Sequence, residues 1–321
     1  MRFAVFGTGG VGGYFGGRLA NSGENVIFIA RGKHLKAIRE KGLRVDSVRG
    51  DFLIAPAEAI DDPAQVGIVD VVILGVKTWQ IPETAIAMRP LVGMKTVVLP
   101  LQNGLEAPDQ LAAVLGVEHV LGGLARILSF VVEPGHIRHI GGPASITFGE
   151  LDNRKSRRVE RLRQIFKRAG VVAEIAPDIH VALWEKFLFV AAAGGLGAVT
   201  RAPIGVLRGL PETRRMLEQA MEEIFRVARA RNICLHDDTV VKTMKFADSL
   251  PSAGTSSLQR DIISGHPSEL EAWNGAVMRM GQLVEIPTPL NKFIYHSLLP
   301  SELQARGRVT FPTEGKQEAL E

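Results

Sequence analysis

Residues 1–31 read MRFAVFGTGGVGGYFGGRLANSGENVIFIAR: a short apolar strand, a glycine-dense turn, a helix, and a second apolar strand that ends on Arg31. Gly7, Gly9 and Gly12 satisfy G-x-G-x-x-G directly after the apolar run Phe3 to Phe6 and directly before a helix that carries Leu19 and Ala20. In such a turn the first glycine permits the bend, the second lets a pyrophosphate approach the backbone, and the third allows helix and strand to pack closely. The helix start adds unpaired N–H groups and the positive end of its dipole. A chain with 34 glycines can also produce this spacing as a plain turn. Here strand, turn and helix stand in the required order, and Val26 to Ala30 supplies the next strand. The stretch Gly7-Thr8-Gly9-Gly10-Val11-Gly12 is therefore expected to bind a dinucleotide.

Arg31 narrows the expectation. An acidic residue at this strand end would hydrogen-bond the ribose 2′-hydroxyl of NAD and repel a 2′-phosphate, whereas a guanidinium grips the phosphate with two charge-assisted bonds. Arg31, with Lys33 nearby, favours NADP; the alternative is a pair of solvated surface cations.

The 321 residues, 46% hydrophobic and 22% charged, suffice for two cores. With 38 basic against 34 acidic residues, the chain lacks the surplus of positive charge that nucleic-acid binders use. The densest basic stretch, Arg154 to Lys167, carries Val159, Leu162, Ile165 and Phe166 at near-helical spacing and reads as an amphipathic helix with a solvated face. The single cysteine, Cys234, is expected to be a core or half-buried thiol, and no metal site is expected. The apolar N-terminal segment is broken by Gly7 and serves better as a strand than as a signal peptide. The longest weakly polar run, Phe187 to Val199, has thirteen residues and is too short to span a bilayer. A cytoplasmic protein without membrane or nucleic-acid partners is the expectation.

Strand-like segments at Phe3 to Phe6, Val26 to Ala30, Val69 to Leu74, Thr96 to Pro100 and Val120 to Gly122 are separated by helix-compatible stretches, the pattern of a parallel sheet covered by helices. Phe130 to Gly149 reads as antiparallel structure turning at Glu133-Pro134-Gly135. From about Asp178 helices are expected at 178–199, 211–231, 237–248, 268–284 and 288–297, with little strand signal. The fold class is α/β: a Rossmann-type, NADP-binding domain over 1–176, a mainly α-helical substrate and dimerisation domain over 177–304, and a loosely held tail over 305–321.

A nucleotide-binding domain followed by a helical one suggests a cleft where the reactive ring of a cofactor meets its substrate. Hydride transfer to a carbonyl needs a positioned proton donor. Lys186, within Trp184-Glu185-Lys186-Phe187-Leu188-Phe189, is the candidate, because a lysine among apolar residues is partly desolvated and its pKa falls. A lysine snorkelling from a helix is the alternative, equally compatible with the residues. Lys77 and Asn103 follow the ends of the third and fourth parallel strands, where open α/β sheets bind ligands.

The stretches GTGGVGGYFGGRLA, VILGVKTWQ, LQNG, PGHIRHIGG, LWEKF and TSSLQRDIISGHPSELEAWNG, in this order from Gly7 to about Leu298, resemble the ketopantoate reductase (2-dehydropantoate 2-reductase) family. The resemblance implies a C-terminal domain of the 6-phosphogluconate dehydrogenase type and NADPH-dependent reduction of a 2-oxo acid, with 2-dehydropantoate as the best-named substrate. It places the general acid at Lys186 and cofactor contacts at Lys77, Asn103 and Glu269. Substrate contacts fall on Asn103 and Ser257. From the residues alone, Ser257 can equally cap a helix, and Glu269 can serve the dipole of a helix starting at Ser268. Gln259, Asp261 and Asn274 share the same stretch, with fold and ligand roles both open.

The chain also departs from the family. Asparagines four and eight residues beyond the family's catalytic lysine, and a third further on, hold the polar groups of the substrate; here the positions carry Val190, Gly194 and Ile204. Losing three amides implies a roomier, less polar pocket, since a site built to pair polar groups selects differently from an apolar one. A paralogous NADP-dependent dehydrogenase or reductase of a less polar carbonyl or alcohol is therefore the first alternative, and a noncatalytic NADP-binding regulator the second. Arg201, His180 or Arg260 are candidates to replace lost carboxylate contacts, against a surface or structural role for each. A homodimer paired through the helical domain is a further expectation.

Overall fold

In a computed structural model, which describes residues 1–312, the chain divides into two compact units, Met1–Leu183 and a second that begins at Trp184. The strands are β1 (Arg2–Phe6), β2 (Asn25–Ile29), β3 (Leu43–Ser47), β4 (Phe52–Ile54), β5 (Glu58–Ile60), β6 (Val71–Leu74), β7 (Val97–Pro100), β8 (Leu121–Glu133), β9 (His136–Glu150) and β10 (Val172–Ile175), all in the first unit. Its helices are α1 (Gly10–Asn21), α2 (Gly32–Lys41), α3 (Ile81–Ala87), α4 (Ala107–Leu115) and α5 (Arg157–Arg168).

Five strands form an all-parallel sheet in the order β5-β2-β1-β6-β7. Successive residues of its central strand feed different cores, Phe3 and Val5 on one face, Ala4 and Phe6 on the other. This two-sided burial is why the strands read as nearly unbroken apolar runs. A second sheet, β10-β9-β3-β4, carries β8 antiparallel to β9. The expected turn at 133–135 is present, and β9 ends at Glu150 close to the expected Gly149, but β8 begins at Leu121, well ahead of the expected Phe130. The last expected parallel strand is reduced to a single bridge from Val120 to Val98 before the chain enters β8.

Between β2 and β6 the expectation of helix alone is corrected: α2 is followed by β3, β4 and β5. These strands are three to five residues long and half exposed, so no apolar run marks them. The basic stretch forms α5, capped by Ser156 accepting from Val159 N–H at 3.2 Å, with Val159, Leu162, Ile165 and Phe166 buried as the spacing predicts.

The second unit contains only helices among the described residues. α6 (Ile179–Thr200) starts in the first unit and is followed by α7 (Ile204–Gly209), α8 (Pro211–Ala230), α9 (Thr239–Ser249), α10 (Ser257–Ile263), α11 (Ala276–Leu283) and α12 (Pro289–Ala305). Short α7 and α10 escape the sequence pattern, and the expected helix from 268 begins instead as a π-helical turn at Glu271–Gly275 that runs into α11. α6 is 22 residues, longer than its thirteen-residue apolar run; by length and composition alone it could cross a membrane, but most of it is buried in protein, as in a core helix. Cys234 is exposed, not buried: it lies in the turn after α8, where its neighbour Leu235 takes the core position. Of the expected tail, Ala305 closes α12, residues 306–312 form no regular element, and 313–321 lie outside the described residues.

Candidate active site

The three glycines of the turn differ in what surrounds them. Gly7 has φ +93°, and a Cβ there would lie 2.7 Å from the nitrogen of Val76. A Cβ on Gly12 would stand 2.2 Å from the carbonyl oxygen of Gly7. The fold therefore demands both glycines. Gly9 is different: its φ of −77° suits any residue, and a Cβ there meets nothing within 4 Å. That open space lets a ligand lie against the backbone, the fit expected for a pyrophosphate. No side chain caps the first turn of α1, and no acid stands in it, so its N–H groups are suited to an anion.

Arg31 ends the loop after β2 as the N-terminal cap of α2. It is exposed, and its guanidinium is 4.0 Å from Glu83 on α3, an exposed pair that contributes little energy. Lys77 follows β6, half-buried, with its ammonium 5.8 Å from the centre of the Trp79 ring. Asn103 follows β7, also half-buried, before Gly104 at φ +113°. Gln102, which the sequence reading passed over, ties these two loops: its amide N–H groups donate to the carbonyls of Leu74 at 3.2 Å and Val76 at 3.1 Å. Val76 in turn abuts Gly7, so the loops after β1, β6 and β7 are braced together at the carboxyl ends of their strands.

In the second unit, Lys186 is half-buried on α6 between buried neighbours Trp184, Phe187 and Leu188. Val190, one turn on, is half-buried, and Gly194, two turns on, is buried. The space expected beside Gly194 is filled: a Cβ there would lie 2.5 Å from Cζ3 of Trp273 and 3.3 Å from the hydroxyl of Ser256. Gly195 and Gly197 give the same close approach to Asn274 and Gln259. The late signature thus packs into a notch of glycines on the helix that carries Lys186.

Two residues of that signature have structural partners. Gln259 is buried and donates to the carbonyl of Ala202 at 3.1 Å. Asn274 is buried and donates to the carbonyl of Ala191 at 3.3 Å and to Asn291 Oδ1 at 3.0 Å. Both hold the fold together. Ser257 opens α10 beside Ser256, whose hydroxyl is the actual cap, accepting from Gln259 N–H at 3.0 Å. Glu269 is buried just ahead of the π-helical turn rather than inside a helix. Ser268 before it is clasped by Glu302, which accepts from both its N–H and its hydroxyl, and Arg306 binds Glu302 in turn. Such π turns often mark functional positions.

Two of the three candidates for replacing lost substrate contacts have structural partners, and the third lies in a strained turn. His180 pairs with the carbonyl of Leu151 at 2.8 Å, Arg260 donates to the carbonyl of Thr255 at 2.8 Å, and Arg201 adopts φ +58° where α6 ends.

Comparison with known proteins meets this geometry at both ends of the chain. Residues 3–153 match the model of "Ketopantoate reductase PanE/ApbA", and residues 178–301 match that of "Ketopantoate reductase PanE/ApbA C terminal". The chain belongs to the PanE/ApbA ketopantoate reductase family. A 2-dehydropantoate 2-reductase from Nostoc is 31% identical over 304 residues, covering 92% of this chain and 94% of the relative. Among solved structures, a PanE/ApbA family ketopantoate reductase from Ralstonia eutropha JMP134 superposes with a TM-score of 0.88 at 32% identity, covering 95% of this chain and all of that one. A 2-dehydropantoate 2-reductase from Geobacter metallireducens gives 0.89 at 31% identity over 94% of this chain and all of its own. Membership of this family makes the chain an oxidoreductase acting on CH–OH and C=O groups, of the NAD(P)H-dependent kind.

Proposed function

We propose that the chain reduces a 2-oxo acid with NADPH, with 2-dehydropantoate, giving pantoate, as the first substrate to test. The observation that carries this reading is Lys186, which stands at the family's W-x-K position and is half-buried on a helix whose neighbouring side chains are core. The glycine turn and the first turn of α1 seat the diphosphate, and Arg31 binds the 2′-phosphate with a charge-assisted pair. Lys77, Asn103 and Glu269 complete the cofactor's contacts. When bound, the reduced nicotinamide supplies a hydride for the keto carbon. Lys186 gives its proton to the keto oxygen as charge develops there, and Asn103 and Ser257 hold the substrate.

A second reading, reduction or oxidation of a less polar substrate, draws support from one feature. Val190 and Gly194, the latter covered by Trp273, offer no amide at the positions where the family's asparagines pair a polar substrate. Consumption of NADPH by the purified protein with 2-dehydropantoate, and with 2-oxo acids bearing apolar side chains, tests both. Turnover of 2-dehydropantoate supports the first; turnover of the apolar acids alone supports the second. Binding of NADPH without turnover of any carbonyl defeats both. Pairing of two chains through the helical unit, where Phe246 and Phe293 are exposed, belongs to the same proposal and is read by sedimentation.

A further inference from the structure

The glycine turn is held by a histidine to which no step above gives a part. His34 lies on α2, three residues after Arg31. Its Nε2 is 2.7 Å from the carbonyl oxygen of Thr8, and its Nδ1 accepts the backbone N–H of Gly135 at 3.0 Å. The second contact fixes the tautomer: Nδ1 must present a lone pair to a peptide N–H, so the one ring hydrogen sits on Nε2 and points at Thr8. One imidazole thereby joins three segments: the turn from Gly7 to Gly10, the helix that Arg31 begins, and the tip of the β8–β9 hairpin. The same hairpin supports the turn a second time, since a Cβ on Gly10 would lie 2.4 Å from the carbonyl oxygen of Ser129.

We propose that His34 is a positioning residue for the cofactor, holding the diphosphate turn in register with Arg31 only as the neutral Nε2–H tautomer. The proposal rests on the reading of that turn as the diphosphate seat. Protonation would place a hydrogen on Nδ1 against the Gly135 N–H, two donors face to face, and would break the tie to the hairpin. Burial lowers the pKa of His34 below its ordinary value, opposed by the bond to Thr8, so the neutral form prevails at neutral pH. Titratable groups on the elements near it are Arg31 before its helix, Lys33, Lys36, Arg39, Glu40 and Lys41 along it, Glu58 on β5, and Glu133 and His136 beside the hairpin tip. None of them contributes to the shift, and His136 is engaged by Asp46 at 2.8 Å and Glu133 at 3.4 Å. The glycine turn carries no titratable side chain.

The test is the NADPH dissociation constant, by nicotinamide fluorescence on the whole chain, from about pH 5 to about pH 8 for wild type, His34→Ala and His34→Gln. The 2′-phosphate of the cofactor titrates in every variant, so the ratio to wild type isolates the histidine. His34→Ala is expected to bind about tenfold more weakly at the alkaline end, with the ratio closing toward one as the pH falls and wild type loses the same tie. His34→Gln, whose amide can donate toward Thr8, is expected to recover affinity without the acid limb. Wild-type affinity in His34→Ala at the alkaline end, or a ratio constant with pH, overturns the role. A Gly9→Val control separates the failures: if it loses NADPH while His34→Ala keeps it, His34 alone is wrong; if it keeps NADPH, the seat itself is wrong.

Discussion

Trp273 and Gly194 occupy each other's space: the indole lies where a Cβ on Gly194 would come within 2.5 Å of Cζ3 and 3.0 Å of Cε3. The ring is fully buried and cannot swing into solvent. Replacing Gly194 with Asn therefore overpacks the core, at a cost of about 1–3 kcal/mol, enough to outweigh the gain in helix propensity. Urea denaturation reads the loss, and Trp273→Ala in the same chain should return part of it, because the two changes share one contact. A Gly194→Asn chain as stable as wild type would show that the indole moves aside.

Gly9 and Gly12 make opposite predictions from adjacent turns of one motif. Gly9→Val adds a side chain into open space and should leave the melting temperature unchanged while abolishing NADPH binding. Gly12→Val drives a side chain into the carbonyl of Gly7 and should lower stability by several kcal/mol, on the order expected for a backbone clash in a buried site. Retained NADPH binding in Gly9→Val, or an equal loss of stability in the two variants, would mean that the turn has no ligand-facing side.

Arg31 is exposed and only loosely paired with Glu83, which leaves its guanidinium available to a phosphate. Arg31→Asp is expected to weaken NADPH binding about ten- to a hundredfold through loss of a charge-assisted bond and gain of repulsion, with little effect on NADH. Titration of both cofactors checks this. Equal losses would mean that Arg31 does not read the 2′-phosphate.

Much of this was legible in the residues, for identifiable reasons. The parallel strands read correctly because Phe3 to Phe6 and Val71 to Leu74 are buried on both faces, and α5 because its apolar residues keep a helical period. The strands from Leu43 to Ile60 were illegible because their short, half-exposed segments carry no period. At the site, the glycines and Lys186 stand in contiguous motifs. Gln102, His34 and Trp273 act through partners 26 to 101 residues away in sequence, and spacing cannot reveal such pairs. Trp273 also reverses one expectation: a glycine in place of a larger residue implied room, yet a tertiary neighbour had taken it.

Lys186 should matter to chemistry far more than to binding. Lys186→Met keeps the apolar stem and removes the proton, so turnover is expected to fall about a hundredfold to ten-thousandfold with the NADPH dissociation constant unchanged. An unchanged rate would remove the proton-donor role.

The most direct measurement follows the hydride itself. NADPH carrying deuterium at both C4 positions is mixed with enzyme and 2-dehydropantoate, and the product is examined by mass spectrometry and NMR. Deuterium at C2 of pantoate, with the transfer all but lost in Lys186→Met, is the expected result. Tight binding of the labelled cofactor with no deuterium transferred to this or any other 2-oxo acid would contradict the reductase reading.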